Sequence, residues 1–288
     1  MRLKYPALLF LFLTLEFTCI SLSQDTSSAN KYDGRVRVVN TDPDNPDVKL
    51  FRSVNNYRTE FLDNTLPYTD KSVFAAALVL PAAMLIYGRA ADKSYDENTA
   101  VLLALSEATN ILLNLGIKNI VKRPRPYQSL SNVYYKNVSI KDEYSFPSSH
   151  TSTSFSIATT FALRYSKYPQ IYVPMYLWGL VVGYGRMYFG MHYPSDVLGG
   201  AVLGSLSAIG IYSLRSEIIK AKNKVFGEEN KPDANQLDSK TAGIMGTAYA
   251  LSFITSKIFN SDEKFEMRFQ PFTKEGTAGI DFTAKINF

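Results

Sequence analysis

The sequence predicts an all-α protein: a membrane-associated bundle of about five to six core helices, with a small β-hairpin at the C-terminus. Three observations lead there. Apolar segments of helical length recur from Ser72 to Leu214. Polar clusters carrying Lys, Arg, Ser and His sit at the ends of those segments. Past residue 260 the period changes: Phe265, Met267 and Phe269 alternate, as do Ile280, Phe282, Ala284, Ile286 and Phe288, around Lys274-Glu275-Gly276.

A chain of 288 residues is enough for one substantial domain. Its 46% hydrophobic and 20% charged residues fit a soluble helical protein or a modest membrane protein. A mean hydropathy of −0.09 weighs against a simple multi-span chain. Net charge is +5. The basic residues form no dense run interleaved with aromatics, which argues against a nucleic-acid partner. A phosphate-bearing substrate or an anionic lipid surface suits the charge better. The single cysteine, Cys19, excludes an intrachain disulfide and a Cys-rich zinc site.

In chain order, residues 1–23 place Arg2 and Lys4 before an apolar run and end at Ser21-Leu22-Ser23. That is the layout of a cleaved signal peptide, with a retained first membrane helix as its rival and a lipid anchor at Cys19 as a minor option. Residues 24–70 read as a polar arm, turning at Pro43 and Pro46, then an amphipathic helix on Phe51, Val54, Tyr57, Phe61 and Leu62. The core covers 71–215. Ser72–Ala90 is nearly uncharged, spans a bilayer in length and kinks at Pro81. Thr99–Ile117 carries Glu107, Asn110 and Asn114, which must face the bundle interior if the helix spans. Thr151–Leu163 is short and rich in Ser and Thr, and Ile171–Gly185 is apolar and aromatic. Val197–Leu214 has Gly199, Gly200, Gly204 and Gly210 for close helix approach. A polar linker follows at 216–240, then an apolar segment and the hairpin at 241–288.

Helix parity organises the polar clusters. With the chain starting outside after residue 23, alternate segments return Lys118, His150 and Arg186 to one outer face. Arg164, Lys167, Arg215, Lys220, Lys222 and Lys224 fall inside, as the positive-inside tendency requires. A soluble up-down bundle would also gather the clusters at one end.

The clusters are Lys118 with Arg125-Pro126, then Pro147-Ser148-Ser149-His150, then Arg186, His192 and Asp196; they hold both histidines of the chain. Splitting a phosphate ester needs an in-line nucleophile, positive charge for the equatorial oxygens and a proton for the leaving oxygen. His192 can be the nucleophile, and Asp196, four residues on, can fold back to its Nδ1. His150 can be the general acid. Lys118, Arg125 and Arg186 supply fixed cations, with guanidinium forks suited to phosphate. Ser148 can donate its hydroxyl, and a helix starting after Pro147 would point the amides of Ser149 and His150 at an anion.

Each residue alone has a plainer reading. Asp196 suits a helix N-terminus, Arg186 can snorkel at a helix end, and Ser148 can be only an N-cap. Lys122 and Arg123 are set outside the site as solvated charges or lipid head-group contacts. It is the convergence of both histidines and three cations on one face that favours chemistry.

With its spacing, this set resembles the type-2 phosphatidic acid phosphatase and haloperoxidase superfamily. That pattern is Lys, six residues, Arg-Pro; Pro-Ser-Gly-His; then Ser-Arg, five residues, His, three residues, Asp. Here Ser149 replaces the glycine and Gly185 the serine. The resemblance covers about residues 118–196. It implies a helical bundle and hydrolysis through a phosphohistidine, needing no metal and no cofactor. It implies His192 as nucleophile, Asp196 as its partner, His150 as acid, and Lys118, Arg125, Ser148 and Arg186 as phosphate ligands. Ser149 keeps a backbone amide there but adds bulk beside the phosphate.

The leading expectation is a phosphatase at the periplasmic face of a bacterial inner membrane, acting on a phosphorylated lipid. Phosphatidate, phosphatidylglycerol phosphate, undecaprenyl diphosphate and lipid A are the candidates. A soluble periplasmic acid phosphatase, a vanadium haloperoxidase and a non-catalytic phosphate-binding envelope protein are the alternatives.

Overall fold

The computed structural model describes residues 44–135, 143–229, 233–234, 239–258, 265–274 and 277–286. The expected signal peptide, most of the arm, the Glu275-Gly276 turn and Phe288 lie outside them.

Two short helices and seven longer ones precede the hairpin in the described residues. Helix α1 (Pro46–Asn55) starts on an Asn45 cap and buries Phe51. The amphipathic helix expected to run on through Leu62 ends there instead. Thr59 is extended and caps a new helix, its Oγ1 accepting from the Leu62 amide at 3.3 Å. Helix α2 (Glu60–Ala90) then runs unbroken for 31 residues through Pro67 and Pro81. Helix α3 (Ser94–Val121) ends at Lys122 in the left-handed region, and α4 (Pro126–Ser129) is a single turn. Next come α5 (Ser149–Arg164), α6 (Pro169–Tyr188) and α7 (Pro194–Ser213), with Pro169 and Pro194 at first-turn positions. The stretch expected as a linker from 216 is helix α8 (Arg215–Phe226). Its Lys222 is buried against Glu97 at 3.1 Å, so the basic residues serve packing as well as solvation. Helix α9 (Ser239–Ile258) packs on α2. Strands β1 (Phe265–Lys274) and β2 (Thr277–Ile286) pair antiparallel from Phe265 opposite Ile286 to Lys274 opposite Thr277.

The short Ser/Thr-rich α5 is the central helix, packed against α2, α3, α6 and α7. Several of its buried hydroxyls return to the backbone or to neighbours, while those of Ser156 and Thr160 find no partner among the described residues. Ser154 donates to the Thr151 carbonyl, Asn110 of α3 to Thr153 at 3.3 Å, and Asn114 to Ser152 at 3.2 Å. Small residues let α7 press against α5: a Cβ on Gly204 would lie 1.9 Å from the Ser152 carbonyl oxygen, and one on Gly200 2.5 Å from that of Ser148. Gly210 meets no such neighbour.

The surface reverses the pattern. Leu112, Leu177, Leu180, Leu198 and Leu206 are exposed on α3, α6 and α7, while Glu107, Asn110 and Asn114 are buried. Helices α2, α3 and α7 are long and apolar enough to cross a bilayer. At the end away from His192, Arg164 pairs with Asp233, and Glu97 with Arg89 and Lys222.

Candidate active site

All three clusters meet at one end of the bundle. Lys118 lies in the last turn of α3, Arg125 caps α4, Ser148 caps α5, Arg186 lies in the last turn of α6, and Asp196 is in the first turn of α7. His192 sits in the loop between α6 and α7, fully buried. The backbone closes this arrangement: the Ser148 amide donates to the Asp196 carbonyl at 3.0 Å, and the Met191 amide to the Arg186 carbonyl at 3.0 Å.

Hydrogen bonding decides the tautomer of His192. Nδ1 is 2.7 Å from the Ser145 carbonyl oxygen, which can only accept, so Nδ1 carries the proton. Nε2 is 3.1 Å from Nη1 of Arg125, which can only donate, so Nε2 presents its lone pair. Burial, then the charges of Arg125, Arg186 and Lys118, hold this imidazole well below the usual histidine range. The ring is therefore neutral at physiological pH, with its acceptor nitrogen facing cations.

Asp196 differs from its expected place. Its Oδ2 is 3.7 Å from Nδ1 of His192, outside hydrogen-bond range, because the Ser145 carbonyl occupies that position. Oδ2 instead accepts from the Tyr193 amide at 2.8 Å. Oδ1 accepts from Nη1 of Arg123 at 2.7 Å. Arg123, set outside the site on sequence grounds, is thus part of it. Its Nη2 donates to Asp47 at 2.7 Å, and its guanidinium lies 4.1 Å over the Tyr193 ring. Burial opposes its charge, but the carboxylates of Asp196 and Asp47 outweigh that and push its pKa up. Asp47 also accepts from the amide of Ser195 at 2.8 Å, so α1 is tied to the start of α7.

The remaining residues divide. Lys118 donates to the Tyr144 carbonyl at 2.8 Å. Ser148 Oγ is 2.9 Å from Thr151 Oγ1 and caps α5. Ser149 turns its hydroxyl away to Asn114, at 2.7 Å, so the expected bulk beside a phosphate is absent; what it offers an anion is a helix-terminal amide. Arg186 donates through Nη1 to both oxygens of Asp70, at 2.7 and 2.8 Å. Its Nε is buried with no hydrogen-bond partner among the described residues. His150 packs edge-on against Phe74 with ring centroids 4.7 Å apart, and its Nε2 is 3.7 Å from Asp70.

Sequence reasoning missed Arg123, Asp47 and Asp70. Arg123 looked like one member of a basic run. Asp70 left a signal: a lone carboxylate at the edge of an apolar segment asks for a cationic partner.

Residues 99–220, from α3 into α8, match the family model of the PAP2 superfamily. Over that stretch the chain is similar to the PAP2 superfamily. An undecaprenyl-diphosphatase of Bacillus subtilis (strain 168) is 25% identical over 158 residues, covering 54% of this chain and 77% of that protein. A lipid A 4'-phosphatase of Bacteroides thetaiotaomicron is 27% identical over 123 residues, covering 41% of this chain and 54% of that protein. The crystal structure of LpxE from Aquifex aeolicus aligns over 58% of this chain and 94% of that one, with 28% identity and a TM-score of 0.48. The chain hydrolyses phosphoester bonds, like the phosphatases it is similar to, and the site's cations and neutral histidine are the apparatus available for it.

Proposed function

We propose that this phosphatase hydrolyses a lipid phosphate or diphosphate through a phosphohistidine on Nε2 of His192, at the periplasmic face of a bacterial membrane. The observation that carries the reading is the lone pair of Nε2, held toward Arg125 by the Nδ1–H bond to Ser145. A phosphoryl group bound by Lys118, Arg125 and Arg186 would meet that lone pair and the unspent Nε of Arg186.

The step then balances. Nε2 attacks phosphorus and the bond to the leaving oxygen breaks, with His150 donating a proton to that oxygen. The positive charge formed on the ring is met by the Ser145 carbonyl and the Asp196 carboxylate. His150 next takes a proton from water as it attacks phosphorus, the P–N bond breaks and phosphate leaves. The amides at the start of α5 and the Ser148 hydroxyl add donors to the phosphate oxygens. No metal is required, because three cations supply the charge.

A lipid substrate is favoured by the exposed aliphatic belt, which reaches the site: Ile120, two residues past Lys118, is 81% exposed. The substrates named for the relatives, undecaprenyl diphosphate and lipid A, join phosphatidate and phosphatidylglycerol phosphate as candidates. The outer placement of this end follows from helix parity and from the basic residues at the opposite end.

The test is phosphate release in detergent with EDTA, from a long-chain lipid phosphate and from a small soluble ester, by wild type and His192→Ala. The expected result is preference for the lipid, activity undiminished by EDTA and none in the variant. Equal use of the soluble ester would favour the periplasmic acid phosphatase. Full activity of His192→Ala would overturn the phosphohistidine.

A further inference from the structure

Asp70 belongs to none of the three clusters. It lies on α2, before the residues matched by the family model, and is buried at 7% exposure. One turn further along the same helix, Phe74 packs on the ring of His150. Helix α2 therefore holds His150 at two points, with the Phe74 ring in an edge-on contact and a carboxylate 3.7 Å from its Nε2. The same carboxylate holds Arg186 through one guanidinium nitrogen, leaving Nε turned elsewhere.

Charge makes this arrangement necessary. His150 feels the cations Arg186 of α6, Arg125 of α4 and Lys118 of α3, and Lys71 lies next to Asp70 on α2. A general acid among cations needs an opposing charge to carry a proton. Asp70 supplies one from α2, with its carboxylate 3.7 Å from Nε2 of His150.

Resting on the phosphohistidine reading, we propose that Asp70 is a positioning residue for leaving-group protonation: it aims Nε2 of His150, offsets the surrounding cations and fixes Arg186. Asp70 itself neither gains nor loses a proton. The proton on Nε2 of His150 passes to the leaving oxygen as the P–O bond breaks, and one from water returns to Nε2 when the P–N bond is hydrolysed.

Leaving-group dependence separates this role from a structural one. An alkyl alkoxide must be protonated as it leaves, whereas a nitrophenolate leaves without a proton. Wild type, Asp70→Asn, His150→Ala, the double variant and His192→Ala are assayed on dodecyl phosphate and on a nitrophenyl phosphate bearing the same dodecyl chain. Asp70→Asn is expected to lose about 100-fold in kcat on the alkyl ester, the low end for general acid catalysis, and less than about tenfold on the aryl ester. The double variant should be no slower than His150→Ala on the alkyl ester. Equal losses on both esters, no loss on either, or additive losses in the double variant would overturn the proposal. Activity of His192→Ala on the aryl ester would instead overturn the phosphohistidine reading, so the two failures are told apart.

Discussion

Nη1 of Arg123 donates to Oδ1 of Asp196 at 2.7 Å, although 73 positions separate the two residues. Asp196 is fully buried, and Arg123 is its principal counter-charge beside the Tyr193 amide. Removing the guanidinium leaves a buried carboxylate short of its partner.

Arg123→Ala is therefore expected to destabilise the protein by about 2 kcal/mol, less than a fully buried pair because the Arg123 side chain is 28% exposed. The proposed roles of Asp196 and His192 add a kinetic consequence: kcat should fall about tenfold or more, with a smaller change in KM. Detergent thermal melts and steady-state kinetics check both. Wild-type stability and rate in the variant would remove Arg123 from the machinery.

The depressed pKa of His192 sets a pH signature. Unfolded, the ring takes a proton near pH 6.5. Folded, it resists protonation, so between 6.5 and the lowered folded value the unfolded chain binds more protons. Its contribution to stability is thus complete above pH 6.5 and declines as pH falls below it. The acid limb of kcat/KM that reports the nucleophile should lie below 6.5 for the same reason. Melting temperatures across pH 4 to 8, for wild type and His192→Asn, isolate the contribution; parallel curves would contradict it.

Helix contact at Gly204 supports the site from below. A methyl group there would sit 1.9 Å from the Ser152 carbonyl oxygen, and backbone cannot yield as a flexible side chain can. Gly204→Ala should cost about 1–3 kcal/mol or more in stability, as overpacked cores do. It should also lower activity, since α5 and α7 carry Ser148 and Asp196. Gly210→Ala, with nothing within 4 Å, should change neither.

Most helices were legible in the sequence because their ends carry chemical stops. Pro194 and Pro169 open helices, and Ser148 caps α5. The break before Thr59 was not legible, since Phe61 and Leu62 continue the spacing set by Phe51 and Val54. Helix α8 was hidden by its polarity, which reads as linker until Lys222 is seen buried on Glu97. The low mean hydropathy of −0.09 has a structural cause as well as polar connecting stretches. Glu107, Asn110 and Asn114 are polar yet buried, while Leu112 and Leu198 are apolar yet exposed, and an average over composition cannot register that inversion.

By itself, the sequence determined the bundle and the convergence of Lys118, Arg125, Ser148, His150, Arg186, His192 and Asp196 at one end. Helical period and alternating direction bring helix ends together with no knowledge of side-chain contacts. Only the tertiary structure decided who pairs with whom: Ser145 rather than Asp196 on Nδ1 of His192, Arg123 on Asp196, Asp70 on Arg186 and Asn114 on Ser149. Hydrogen bonds act over about 3 Å. Sequence spacing places a helix end far less finely than that, so partners 73 and 116 positions apart emerge only once the helices have packed.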